Sequence, residues 1–261
     1  MSTISQIAET LARPGVLGLV GKRLESRTQS ELRAYFEALG KRIVALGLEN
    51  LVEQMSAEMA RHAVDMKMQN VLRVFTPTIK GILSSDMEEA MLKADKIHHF
   101  AEALGDVSIE DQPPAMLSSD EAALWASIHA GDVVTGINDT TRSLIADAIE
   151  EGISEGLGVP GTARLIRATV ADMTRLRSEM IASTEINRAM SEAALRKLNR
   201  IGIDYKRWIP AAACCDICAE NEAASPIPVD ELFPSGDMAP PGHVNCRCAI
   251  SGARAPNETV N

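Results

Sequence analysis

At 261 residues and 46% hydrophobic content, the chain is long enough to bury one large core or two modest ones. A net charge of -10 and a pI near 5.1 exclude a protein that coats nucleic acid over its whole surface, although a local basic patch is compatible with them. Aromatic residues make up only 3% while Ala, Leu, Met and Glu abound, which points to a mainly α chain and away from sandwiches and barrels.

From Ser30 to about Val74 the apolar residues Leu32, Tyr35, Phe36, Leu39, Ile43, Leu46 and Leu51 recur three and four apart, the spacing of long amphipathic helices. Pro77 is expected to break this pattern, and a second helical stretch runs from Lys80 to Leu104, ended by Gly105. The polar, proline-paired segment around 105–118 reads as a linker. Ser118-Ser119-Asp120-Glu121 then offers N-caps for a helix through Trp125 and His129. Further helices are expected at Asp139–Glu155 and Gly161–Ala171, with a glycine turn between them, and at Asp172–Asn199. After Gly202 the texture changes. Residues 203–209 read as a strand, and six of the twelve prolines follow between 210 and 241, so a short sheet with irregular loops is predicted there.

No apolar run approaches the roughly 20 residues of a bilayer span, and the first residues lack a basic segment followed by an apolar core. Neither export by a signal peptide nor a membrane partner is expected.

All five cysteines fall in the thirty-five residues from Cys214 to Cys248. Cys215-Asp-Ile-Cys218 lets two thiolates on one tight turn reach a single ion at about 2.3 Å. After a 24-residue gap, His243-Val-Asn-Cys246-Arg-Cys248 adds three more donors, so four tetrahedral positions can be filled with one donor to spare. A structural Zn2+ held by Cys215, Cys218, His243, Cys246 and Cys248 is the expected cofactor site. A thioredoxin-like dithiol would want Cys215 and Cys218 at a helix start after a parallel strand. A disulfide framework would want an oxidising compartment.

Catalytic signatures are absent. None of the five histidines begins an H-x-E, which removes the zinc deaminases, and there is no H-E-x-x-H. Gly15 to Arg23 misses the phosphate-loop pattern. Gly152-Ile-Ser154-Glu-Gly156 matches G-x-S-x-G, but a helical pattern leads into it where an esterase needs a strand, so it reads as a helix-end turn. His98-His99 points two rings about 100° apart and reads as solvated or capping. Glu185 and Arg188 can pair three apart on a helix, and Trp208 is expected to pack over the cysteine loops.

The segment Met180-Ile-Ala-Ser-Thr-Glu-Ile-Asn-Arg-Ala, then Lys206-Arg-Trp-Ile, the Cys215-x-x-Cys218 pair and Pro240-Pro-Gly-His-Val-Asn-Cys-Arg-Cys248 resemble the phage Mu protein F-like head morphogenesis family. The likeness covers roughly 140–250. It departs from the family's pattern at Cys214, where a polar residue commonly stands. It implies a minor head protein of a tailed bacteriophage or prophage, non-enzymatic, located in the virion capsid and in host cytoplasm during assembly. The implied partners are the portal protein, other capsid or scaffolding proteins, and packaged DNA. It also draws Thr184 and Glu185 towards a structural link between their helix and the cysteine loops.

The expected organisation is a helical region over 1–139 that offers a portal-binding or self-association surface. A small α+β domain over 140–250 follows, with its zinc-stapled loops at 214–248, and then a flexible tail over 251–261. Two other readings compete. A toxin-like effector sharing the C-terminal module would need an added catalytic domain, for which 1–139 has no signature. A zinc-dependent DNA-binding module would need a basic face, for which Lys197, Arg200, Lys206, Arg207 and Arg247 are the local cations.

Overall fold

A computed structural model describes the backbone of residues 16–53, 56–104, 116–253 and 255, and the side chains of all of these except 16–19 and 97–104. The linker expected around 105–118 lies mostly outside the described residues, as do the side chains of His98 and His99.

The chain runs α1 (Val16–Val44), a 3-10 segment (Leu48–Glu53), α2 (Ala57–Leu104), α3 (Ser119–Ser154), α4 (Gly158–Asp172), a π turn (Met173–Arg177), α5 (Ser178–Arg200), β1 (Tyr205–Ile209), α6 (Asp216–Ala224), β2 (Ile227–Pro228) and β3 (Ala249–Ala253). It is mainly helical, with one small antiparallel sheet near its C-terminus. No described helix is long and apolar enough to cross a membrane.

The break expected at Pro77 lies elsewhere. Pro77 sits inside the 48-residue α2, where the Thr76 hydroxyl donates to the Leu72 carbonyl at 2.8 Å and itself accepts from Asn138 at 3.0 Å. These bonds hold the turn that the missing N–H weakens. The interruption falls instead at Gly47, whose φ of 60° only glycine adopts readily, so α1 ends there and a 3-10 segment follows. The helices expected around Trp125 and over Asp139–Glu155 are one element of 36 residues. Gly131 and Gly136 look like an interruption in the sequence, yet Ala126, Ala130, Val134, Ile137 and Ile145 continue one buried face across both glycines.

The chain divides into two compact units. One comprises residues 28–84 and 127–179, the other 1–27, 85–126 and 180–261. In the first, Leu32, Phe36, Leu39, Ile43, Val64, Met68, Ile79, Leu83, Ile145 and Ile166 are buried. Its helices approach closely: a Cβ on Gly40 would lie 2.2 Å from Val170 Cγ1. Arg177, turned inward by the π turn, donates to Thr141 Oγ1 and the Ile137 carbonyl and stacks over Phe36. In the second unit, Met87, Ala90, Met91, Ala182, Ile186 and Ala189 are buried, and Arg27 pairs with Asp86 and Glu89.

The sheet has the order β2-β1-β3 with both pairs antiparallel. Tyr205 faces Ala253, Ile209 faces Ala249, and Lys206 faces Ile227. Alternation along β1 turns Lys206 and Trp208 inward and Arg207 out. Ser251 to Ala253 thus belong to the sheet, and residues 256–261 lie outside the described ones.

Candidate metal centre

Two short devices bring the donors together. Cys215 is the N-cap residue of α6, with extended backbone, and Cys218 lies one turn on, so both sulfurs share the helix's starting face. The second device is the turn His243–Cys246. It is closed by the Cys246 N–H donating to the His243 carbonyl at 3.2 Å and made possible by Asn245 at φ 61°. Cys248 follows directly and leads into β3.

These turns place His243 Nε2 3.2 Å from Cys215 Sγ and 3.3 Å from Cys218 Sγ, and Cys218 Sγ 3.7 Å from Cys246 Sγ. Cys215, Cys218 and His243 form one group of mutually close donors, and Cys218, Cys246 and Cys248 form another, within 4.8 Å in each case. Cys218 belongs to both. Thiolate bonds of about 2.3 Å to a tetrahedral ion imply sulfur separations of about 3.8 Å, and the Cys218–Cys246 distance has that value within 0.1 Å. The imidazole is oriented for the task. His243 Nδ1 lies 2.9 Å from the Val244 carbonyl, to which it donates, so Nε2 faces the sulfurs with its lone pair. The donor set can hold a metal ion. Among the described residues all five cysteines are free of disulfides, with Cys218, Cys246 and Cys248 buried and Cys214 and Cys215 exposed.

Protonation across the cage is uneven. Burial, more than any neighbour, pushes the Cys218 thiol up to about 12. The hydrogen bond that the Cys246 thiol gives to Cys248 raises Cys246, and burial adds to it. The same bond brings Cys248 down to about 5 against its burial, helped by the Ala211 N–H, the Cys218 thiol and the Trp208 indole. That indole N–H is buried near Cys248 and has no hydrogen-bond partner of good geometry among the described residues.

α5 clamps the second turn. Thr184 Oγ1 donates to the Met180 carbonyl at 2.7 Å and accepts from the Asn245 N–H at 2.9 Å, so the expected link from this helix to the cysteine loops exists. Asn187, one turn further along the same face, donates to the carbonyls of Cys246 at 2.9 Å and Cys248 at 3.2 Å. Sequence reasoning passed over Asn187. Its spacing of three from Thr184 was the available signal. Glu185 is buried and pairs with Arg188 at 3.4 Å.

The remaining loops are packed by few groups. Trp208 is fully buried, edge-on to Phe233 at 5.0 Å, and lies over Gly242, where a Cβ would come within 3.3 Å of the ring. The expectation that it packs over the cysteine loops holds. Buried Asn221 holds Ser235 through both ends of its amide, at 2.9 and 3.0 Å. The dithiol reading finds its helix start at α6, but the strand before it, β1, is antiparallel to both neighbours, unlike the parallel strand that reading requires.

The cations named for a DNA-binding face here are mostly spent. Lys197 and Lys206 are buried, Arg200 pairs with Asp95 at 3.5 Å, and Arg247 pairs with Glu25 at 2.9 Å, leaving Arg207 exposed. The G-x-S-x-G match is a helix end: Ser154 closes α3, donating to the Glu151 carbonyl, and Gly156 follows at φ 63°.

Comparison of the chain with curated proteins and with solved structures gives no significant match. A family model does match, described as phage Mu protein F like protein, over residues 143–251. That span holds all five metal donors, the Thr184–Asn187 clamp and all but two residues of the sheet. The segment that builds the cysteine–histidine cage therefore belongs to the phage Mu protein F-like family.

Proposed function

We propose that the chain is a minor head protein of a tailed bacteriophage or prophage, carried in the capsid at the portal and acting without catalysis in head assembly or DNA passage. The observation that carries this reading is the coincidence of the family match with the cage: the matched residues 143–251 enclose every donor and its clamp. The family points to phage head morphogenesis. Its partners on this reading are the portal protein and other capsid or scaffolding proteins.

In this reading the cage holds a structural Zn2+ on Cys215, Cys218, His243 and one sulfur of the Cys246–Cys248 pair. Three thiolates and one imidazole close a tetrahedral shell and leave no position for water, which suits a staple and not a hydrolase. Few apolar side chains hold residues 214–248, so the ion supplies folding energy that packing does not, on the order of 10 kcal/mol in isolated zinc modules. Serine at the ligating member of the Cys246–Cys248 pair lowers bound zinc, and serine at the other leaves one equivalent.

Co-expression of the full-length chain with a tagged portal protein tests the partner. Co-purification is expected at moderate salt. Failure to co-purify, together with absence of the chain from purified particles, would sink the head-protein reading.

A further inference from the structure

We infer that the cage is also a copper site, taking two Cu(I) ions in place of one Zn2+, with the Cys218 thiolate bridging them. The grouping of the donors points to it. A tetrahedral ion with thiolate bonds of about 2.3 Å needs its sulfurs within about 3.8 Å of one another, and an imidazole nitrogen closer still. Among the described residues no four donors lie mutually within 4.8 Å. They fall instead into two sets of three: Cys215, Cys218 and His243, and Cys218, Cys246 and Cys248. A single tetrahedral ion has to draw one sulfur of the Cys246–Cys248 pair out of its set, and it leaves the other unused. Two three-coordinate ions that share Cys218 need no such rearrangement and use all five donors.

Coordination chemistry narrows the ion. Soft thiolate donors in sets of three suit Cu(I), whereas Zn2+ in a closed thiolate site holds to four ligands. An iron–sulfur cluster bridges its irons with inorganic sulfide and takes each cysteine separately, but here Cys218 lies in both sets. His243 Nε2 stands 3.2 Å from Cys215 Sγ and 3.3 Å from Cys218 Sγ, and Cys218 Sγ stands 3.7 Å from Cys246 Sγ, so each set is within one ion's reach. Burial separates the two positions. Cys215 is exposed and His243 partly so, while Cys218, Cys246 and Cys248 are buried. Copper therefore enters at the outer set, and the inner ion is screened from water and oxidant. Where zinc sits on three thiolates and the imidazole, the exchange balances: two Cu+ enter, Zn2+ leaves with one proton from the unused thiol, and no electron moves. Cys214 belongs to neither set.

The test adds Cu(I), under anaerobic reducing conditions, to the zinc-loaded full-length chain and follows its metal content by native mass spectrometry and copper-edge X-ray absorption. Loss of one zinc and gain of two coppers per chain is expected, each copper three-coordinate and mostly sulfur-bound, with a second copper as a near neighbour in the absorption spectrum. Of Cys246→Ser and Cys248→Ser, the variant that keeps its zinc should fall from two coppers to one, and its retained zinc shows that the cage still folds. If neither keeps zinc, both are loaded from the metal-free state, with helical circular dichroism as the check on folding, and the same fall to one is required. Cys214→Ser, at an exposed thiol outside both sets, should take two. One copper per chain in the unaltered protein, zinc left in place at two equivalents of Cu(I), two coppers in the serine variants, or loss of a copper in Cys214→Ser overturns the inference. The inference rests on the cage being a metal site, as the zinc reading does, but the two fail separately. A chain purified without zinc that takes two Cu(I) removes the zinc staple alone, and a chain with one zinc that takes no copper removes this inference alone.

Discussion

Cys218 has a position that no other donor shares, within reach of Cys215 and His243 on one side and of Cys246 and Cys248 on the other. Cys218→Ser is therefore expected to abolish zinc binding. Cys214→Ser, at an exposed thiol that joins neither group, should retain one equivalent by elemental analysis. The C-x-x-C spacing favours Cys215 over its neighbour in the sequence, and the N-cap geometry of α6 aims Cys215 at His243. Asn187, by contrast, was invisible. An asparagine on a helix declares nothing until the carbonyls opposite it are known, and here they are those of two cysteines. Asn187→Ala should cost about 1–3 kcal/mol through the two carbonyls it strands, and weaken zinc retention against a competing chelator by roughly 10–100-fold, as loss of a partner behind metal ligands does.

Among the elements, the strand β1 shows how alternation can be read and still surprise. The run Tyr205–Ile209 was evident as a strand, but its inward positions are Lys206 and Trp208, and a buried lysine breaks the apolar rule. It survives because Nζ donates to the Met238 carbonyl at 2.9 Å and lies 5.2 Å over the Phe233 ring. Burial lowers the Lys206 ammonium to about 8, opposed by Asp230 and Glu231. The unfolded chain then binds this proton more tightly than the folded one between about pH 8 and 10.5, so stability attributable to Lys206 rises with pH through that window and is flat above it. Lys206→Met should flatten the rise, seen as the difference between wild-type and variant denaturation midpoints across that range. The helices teach a different lesson. Their apolar periodicity was plain, while their ends were not: Pro77 is absorbed by α2, and the real stop is Gly47. Close helix packing was equally silent in the sequence. A Cβ at Gly152 would lie 2.1 Å from Thr162 Oγ1, so Gly152→Ala is expected to destabilise the chain by about 1–3 kcal/mol in chemical denaturation, overpacking being the cause.

The whole molecule combines helices built from ordinary amphipathic faces with a C-terminal segment that relies on chemistry. In that segment one sheet of three short strands and a cluster around Trp208, Phe233 and Ile250 must order long proline-rich loops. The order of motifs along 143–251 was readable because metal spacing and the Pro-Pro-Gly-His turn are local signals. The compact units were not readable, because each collects distant stretches of the chain, such as 28–84 with 127–179. Removing zinc with a chelator should lower the melting temperature and expose Cys218, Cys246 and Cys248 to a thiol reagent, while most helical circular dichroism remains. The most direct test of the zinc staple is metal content with X-ray absorption at the zinc edge on freshly purified full-length protein. One zinc per chain with a first shell of three sulfurs and one nitrogen is the expected result. Metal-free protein with free thiols, or cysteines paired as disulfides, would contradict it.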